Sequence, residues 1–301
     1  MQTKRVRIKL PATSANLGPG FDAAALAMSM HLTVEAEPAP TWQIHATGRD
    51  PELVGSLEKN LIIDTFTSVL QDAGKKASPL RLTIHNEIPL GMGCGSSAAA
   101  LCAGVALADF FGELKMGDAG IVTEASRREG HPDNVAACWL GGFTVSADTE
   151  RGVETATFGT ELPWQLLLAV QATSLATKKA RALLPETYSK ADAVFNVQRM
   201  ALLTAAFAGG RRDLLRAGTE DRIHQPYRQD ACPLLKALLP LAQDQKFAGV
   251  ALSGAGPSVL MVLEPETTLL EAQTVVTALA GADVELIPVS IAGGAEVQEL
   301  A

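Results

Sequence analysis

Long apolar runs are absent from this chain. The nearest approach, Ala98 to Ala108, stops at Asp109 after about eleven residues, well short of the roughly twenty a membrane-spanning helix needs, and reads as a buried helix. Met1 to Leu10 carries Lys4, Arg5, Arg7 and Lys9 where a signal peptide needs an apolar core. The expectation is a cytoplasmic protein with no membrane partner. Paired cysteines are absent too. Cys94, Cys102, Cys138 and Cys232 form no C-x-x-C unit, and no histidine stands at zinc-finger spacing from them. They read as reduced thiols packed as small hydrophobes. The five histidines are scattered, so a histidine-based metal site is not expected. Blocks of like charge are missing as well. The net charge is -8, the pI is near 5.2, and no run of five like charges occurs. A broad nucleic-acid surface needs clustered Lys and Arg and is not expected, while local basic pockets for a phosphate or carboxylate stay open.

What is present suits a two-domain globular protein. A length of 301 residues is about twice that of a typical domain, and 47% hydrophobic residues suffice for two cores. The division is placed near Glu150 to Leu162, giving units of residues 1–155 and 156–301. Arg5 to Leu10 alternates charged and apolar residues as a half-buried strand does. Pro11 to Gly20, rich in Pro, Gly, Ser and Asn, reads as a loop. Ala23 to Glu37, Trp42 to Thr47 and Leu80 to Asn86 read as strands. Asn60 to Ala73 and Ser96 to Phe111 read as helices, the second opened by Ser and closed by Gly112. Val122 to Arg128 is helical, and Gly142 to Ala147 with Val153 to Phe158 forms a hairpin. The second half begins with a strand over Gln165 to Gln171. Helices follow at Ala191 to Phe207 and Leu234 to Leu241. Short strands at Gly249 to Leu252 and Val259 to Leu263 flank a Gly-rich turn. A helix over Thr267 to Leu279 and a strand over Val284 to Ile291 close the fold.

The densest chemical signal is Pro89-Leu90-Gly91-Met92-Gly93-Cys94-Gly95-Ser96-Ser97-Ala98-Ala99-Ala100, which follows a strand and opens a helix. Its glycines let the backbone turn tightly and approach an anion. Free N–H groups and the dipole at a helix start favour negative charge there. Ser96 and Ser97 add hydroxyls for phosphate or for a metal's shell. The segment has neither the G-K-[ST] ending of a Walker A loop nor G-x-G-x-x-G spacing. On the residues alone, a Ser-capped turn with no ligand stays open.

The segment resembles the ATP loop P-x-G-x-G-L-G-S-S-A of the superfamily that holds galactokinase, homoserine kinase, mevalonate kinase and phosphomevalonate kinase, with Cys94 at the usual Leu. Three further runs are similar to homoserine kinases in particular. Pro11-Ala12-Thr13-Ser14-Ala15-Asn16-Leu17-Gly18-Pro19-Gly20-Phe21-Asp22 resembles their signature residue for residue. Glu129-Gly130-His131-Pro132-Asp133-Asn134-Val135-Ala136 is similar to E-G-x-H-P-D-N-V-A, one residue shorter before His-Pro. Leu252-Ser253-Gly254-Ala255-Gly256-Pro257-Ser258 resembles the S-G-A-G-P-[ST] turn. Arg181, within Thr177 to Pro185, and Arg228, within Pro226-Tyr227-Arg228, resemble two arginine elements of the family, with Gln225 where the second has Glu.

The resemblance implies an α+β fold, a ribosomal protein S5-like N-terminal domain followed by a ferredoxin-like C-terminal domain. It implies ATP and Mg²⁺ as cofactors and L-homoserine as the small-molecule substrate. The loop from Pro89 to Ala99 would bind ATP, with Asn60 near the adenine by analogy of position. Ser97 and Glu129 would hold the metal. Asn16, Asp22, His131 and Asp133 would surround the substrate, with Asp22 and Asp133 on its ammonium. Arg181 and Arg228 would hold its carboxylate, and Gly254 would let its turn pack over the site. Asn134 stands where mevalonate-type kinases carry an Asp. An amide cannot take a proton at neutral pH, so direct in-line transfer without a general base is expected. The alternatives are a sister kinase of another alcohol, a non-catalytic ATP-binding regulator, and a nucleic-acid module; the Pro11 to Asp22 run, the intact Ser97, Glu129 and Asn134, and the acidic pI argue against them in turn. A homodimer is left open.

Overall fold

The computed structural model describes residues 4–171 and 177–300. The chain runs β1 (Arg5–Asn16), β2 (Gly20–Pro38), β3 (Gln43–Gly48), α1 (Pro51–Val54), α2 (Leu61–Asp72), β4 (Leu80–Asn86), α3 (Ser96–Gly112), α4 (Gly117–Glu129), α5 (Asp133–Leu140), β5 (Phe143–Thr149), β6 (Gly152–Phe158) and β7 (Leu166–Val170). It continues through α6 (Thr177–Arg181), α7 (Lys190–Gly209), α8 (Leu215–Gly218), α9 (Gln225–Arg228), α10 (Pro233–Leu238), β8 (Phe247–Leu252), β9 (Val259–Leu263), α11 (Leu269–Ala280), β10 (Glu285–Val289) and β11 (Glu296–Leu300). The class is α+β.

Two sheets organise these elements. The first has seven strands, in the order β11-β1-β2-β4-β3, with β5 on β2 and β6 on β5. Only its β3–β4 pair is parallel among the described residues. In β4, Leu80, Leu82 and Ile84 point inward while Arg81, Thr83 and His85 face water, the alternation that a one-sided sheet requires. The helix α3 is apolar on nearly every face and is buried, as its composition demands. It packs between the sheet, α2, α4 and α5. Phe66 of α2 is fully buried and meets Trp42 and Phe111 edge-on. Truncating it to Ala would cost about 3–5 kcal/mol.

The second sheet is antiparallel, in the order β10-β7-β9-β8. With helices after β7 and between β9 and β10, this is the β-α-β-β-α-β pattern of ferredoxin-like folds. Its own core gathers Leu167, Leu235, Leu238, Val250, Val259 and Met261.

Three elements differ from the expected layout. Pro11 to Asn16 is strand rather than loop. Pro11 lies at a register shift between β1 and β2, where the ladder is already interrupted and its missing N–H matters less. A helix, α5, follows Pro132 directly. The chain also does not close at β10: β11 returns to pair with β1, with Ile8 opposite Val297. The expected division at residues 155/156 falls inside β6, and the first sheet takes its outermost strand from residues 296–300.

Candidate active site

Three turns converge where the two sheets meet. The first links β1 to β2, where Asn16 and Leu17 take left-handed backbone, with φ of 71° and 45°. Such a conformation suits Asn and costs Leu energy, a combination that clusters at functional sites. The second is the glycine loop ahead of α3. The third is the β8–β9 turn. Gly254 N donates to Ala15 O at 2.9 Å, and Ser253 Oγ donates to Gly93 O at 2.7 Å. Gly93 has a φ of 77°, and a Cβ there would lie 2.3 Å from Ser253 O, so the turns touch backbone to backbone.

Between them lies a cavity of ≈ 360 Å³. Its walls include Gly91, Gly93, Cys94, Gly95, Ser96 and Ser97 on one side. Asn16, Asp22, Glu129, His131, Asp133, Asn134, Arg181, Arg228 and Gly254 also line it. A second, more apolar cavity of ≈ 290 Å³ shares Ser96 and Ser97 with the first and is bounded by Leu53, Val54, Ile62, Leu90 and Asn60. Pro89, Met92, Ala98 and Ala99 line neither; the two alanines are buried behind the loop, inside α3. Asn60 caps α2: its Oδ1 accepts from Ile62 N and Ile63 N, and its Nδ2 donates to Val54 O and Ser56 O. Its polar capacity is spent within the protein, so it offers a ligand chiefly surface.

On the phosphate side, Ser97 Oγ donates to Glu129 Oε2 at 2.9 Å across the space between α3 and the end of α4. Burial raises the Glu129 carboxyl above its ordinary range, against the lowering pull of Ser97 and His131. One carboxylate and one hydroxyl facing a phosphate loop are a donor set that fits a hard divalent cation.

On the opposite side, Asp133 is 1% exposed. Its Oδ1 accepts from His131 Nδ1 at 2.6 Å, Asn134 N at 2.6 Å and Asn134 Nδ2 at 3.3 Å. Burial alone would push His131 down, but the bond and charge of Asp133, with Asp22 and Glu129, raise it. Asp22, His131 and Asp133 offer ligand atoms within 4.8 Å of one another, two of them carboxylates able to accept from an ammonium group. Arg181 closes a two-pronged ion pair on Asp22, at 2.7 and 2.8 Å.

Arg228 is 2% exposed. Its protein hydrogen bonds run to Ala180 O, Gly254 O and His224 Nδ1, none of them a carboxylate. Burial, with the neighbouring Arg181, lowers its pKa. His224 was not signalled by any motif. It is fully buried and stacks on Phe21 at 5.4 Å. Its Nε2 donates to Gly18 O at 2.7 Å, which leaves Nδ1 to accept from Arg228. Burial pushes His224 toward the neutral form that this arrangement requires. Gln225 Oε1 accepts from Leu252 N at 2.8 Å, a bond open to Gln and Glu alike.

Fold and site together define a member of the GHMP kinase class: a profile of the GHMP kinases N terminal domain matches residues 60–142. A homoserine kinase from Solibacter usitatus is 48% identical over 259 residues, 85% of this chain and 84% of the relative. One from Desulfitobacterium hafniense is 36% identical over 275 residues, 91% of this chain and 93% of the relative. The crystal structure of homoserine kinase from Cytophaga hutchinsonii superposes with a TM-score of 0.82 at 23% identity, covering 99% of this chain and 98% of that one, which shows the same fold. The chain belongs to the homoserine kinase family and is an ATP-dependent kinase. Among the described residues, no helix is long and apolar enough to cross a membrane.

Proposed function

We propose that this protein transfers the γ-phosphoryl group of ATP to the side-chain hydroxyl of L-homoserine, giving ADP and O-phospho-L-homoserine on the route to threonine. The observation that carries this reading is Arg228. A guanidinium buried to 2% exposure with no carboxylate among its hydrogen-bond partners in the described residues is costly unless an anion is to arrive. It lines a cavity that also holds the carboxylates of Asp22 and Asp133. A small zwitterion would meet both kinds of charge at once.

The nucleotide's adenine would occupy the apolar cavity beside Asn60, and its phosphates would lie along Pro89 to Ala99 against the amides at the start of α3. Ser97 and Glu129 would hold Mg²⁺, which when bound neutralises charge on the β- and γ-phosphates. Asp22 and Asp133, with His131 beside them, take the substrate ammonium. Arg228 and Arg181 take its carboxylate, and Asn16 fixes Gly254 above it through a 2.9 Å bond from Nδ2 to Gly254 O. Asn134 orients the acceptor hydroxyl. The transfer is direct and in line, and its loose transition state needs no general base, so the proton leaves late to solvent or phosphate. We further place the protein in the cytoplasm, with the N-terminal half carrying the nucleotide and the C-terminal half supplying Arg181, Arg228 and Gly254; a homodimer is compatible with this reading.

Acceptor-dependent ADP release with homoserine, serine, threonine and mevalonate in parallel tests the assignment. Homoserine should support the highest kcat/KM. Preference for mevalonate, or ADP release that ignores the acceptor, would overturn it.

A further inference from the structure

We infer that Thr13, a residue outside the cavity, is a positioning residue that sets which end of Asn134 meets the substrate. The inference rests on the assignment of Asn134 to the acceptor hydroxyl. Thr13 is fully buried in β1, and its Oγ1 lies 2.6 Å from Asn134 Oδ1. On the other side, Asn134 Nδ2 lies 3.3 Å from Asp133 Oδ1. An amide has one donor end and one acceptor end. Turned over, Asn134 would set its carbonyl oxygen against a buried carboxylate, an unfavourable approach of two acceptors. The carboxylate therefore requires the amino end, and the Thr13 hydroxyl donates to the carbonyl end that remains. The chain of donors runs in one direction, from Thr13 through Asn134 to Asp133.

Thr13 is itself held by the phosphate loop. Its N–H donates to Cys94 O at 3.1 Å. Its hydroxyl occupies the space in which a side chain on Gly95 would stand: a Cβ there would lie 1.8 Å from Thr13 Oγ1 and 3.2 Å from Asn134 Oδ1. Gly95, at a φ of 71°, is the residue just ahead of α3. Thr13 thus joins the loop that cradles phosphate to the amide that aims the acceptor. The acceptor oxygen is met by an N–H of Asn134, which holds a lone pair and leaves the hydroxyl's own proton free to depart.

The test is a double-mutant cycle on turnover with the full chain. Thr13→Val removes the hydroxyl at nearly constant volume and should lower kcat roughly 10- to 100-fold, the scale of a misplaced reacting group. KM for ATP and for homoserine should stay within about threefold. Thr13→Ser should restore kcat to within about threefold of wild type. In an Asn134→Ala background, Thr13→Val should add less than about a twofold loss, because the residue it acts through is gone. Additive losses, a Thr13→Ser variant as slow as Thr13→Val, or a loss carried by KM for ATP would each overturn the inference. Should Thr13→Val not fold, Thr13→Ala replaces it in the same cycle. Should the wild type prefer another alcohol, the substrate assignment fails and the cycle is run on that alcohol, where the same coupling is expected.

Discussion

The two walls of the cavity are built on opposite plans. In the proposed reading the phosphate wall is one contiguous stretch, Gly91 to Ser97, and it would work through backbone amides and a helix start. The proposed acceptor wall is assembled from side chains that lie far apart in sequence: Asn16, Asp22, Asp133, Arg181 and Arg228, the last of them bonded to a buried His224. A backbone-built wall tolerates side-chain change so long as φ and space are kept, as Cys94 at the position of a family Leu illustrates. A side-chain-built wall has no such slack, since each charge is fixed by one or two partners.

Four measurements can break or sharpen that contrast. The largest effect is expected where the phosphate wall departs from its backbone plan. Ser97→Ala and Glu129→Gln should each lower kcat by about 100-fold or more, the scale of losing one preorganised electrostatic contact, with the melting temperature unchanged. Near-normal turnover at saturating Mg²⁺-ATP would remove both from the metal. Arg228→Ala should raise KM for homoserine roughly 100-fold and Arg181→Ala roughly 10-fold, because charge-assisted bonds are worth most when desolvated. Arg181 is the weaker of the two: its side chain is 45% exposed and shared with Asp22. An equal rise in KM for ATP would mean that the walls are not separable. Gly93→Ala should cost about 1–3 kcal/mol in denaturant titration, the usual price of overpacking, and should raise KM for both substrates, since the clash falls on the Ser253 contact that joins them. A stability loss without a kinetic one would leave that contact structural only. The smallest effect belongs to Cys94. Its thiol is pushed up to about 12 by burial. Iodoacetamide at pH 7.5 should leave ATP turnover intact, and rapid inactivation protected by ATP would show a loop more open than described.

Much of this was readable in the residues because local chemistry decided it. The strand over Leu80 to Asn86 alternates cleanly, and the glycine loop runs into a Ser-opened apolar stretch with the composition of a buried helix. The acceptor wall was readable by likeness of motif rather than by spacing, since nothing in the order of residues says that Arg228 stands near Asp22. Other features left weaker marks. Pro11 to Asn16 has a loop's composition, yet neighbouring strands impose extended backbone on it. The eight residues of α5 carry no capping side chain. The strand β11, Glu-Val-Gln-Glu-Leu, is almost wholly exposed and has no apolar face to announce it. His224 and Thr13 act through other residues, so no ligand chemistry marks them. The one available hint for His224 was its position four residues before Arg228, one helical turn away.

The pairing of β1 with β11 has a consequence for synthesis. Arg5 is opposite Leu300, so β1 must wait until β11 is made before its outer edge is covered. At roughly 5–20 residues per second, that wait is on the order of 15 to 60 seconds. During it, the strand that carries Thr13 and Asn16 presents unpaired backbone groups, the kind of edge that recruits foreign strands. The acceptor wall therefore takes Asn16 from a strand whose outer edge is covered late, and a chaperone that shields exposed strands would have its longest task at this edge.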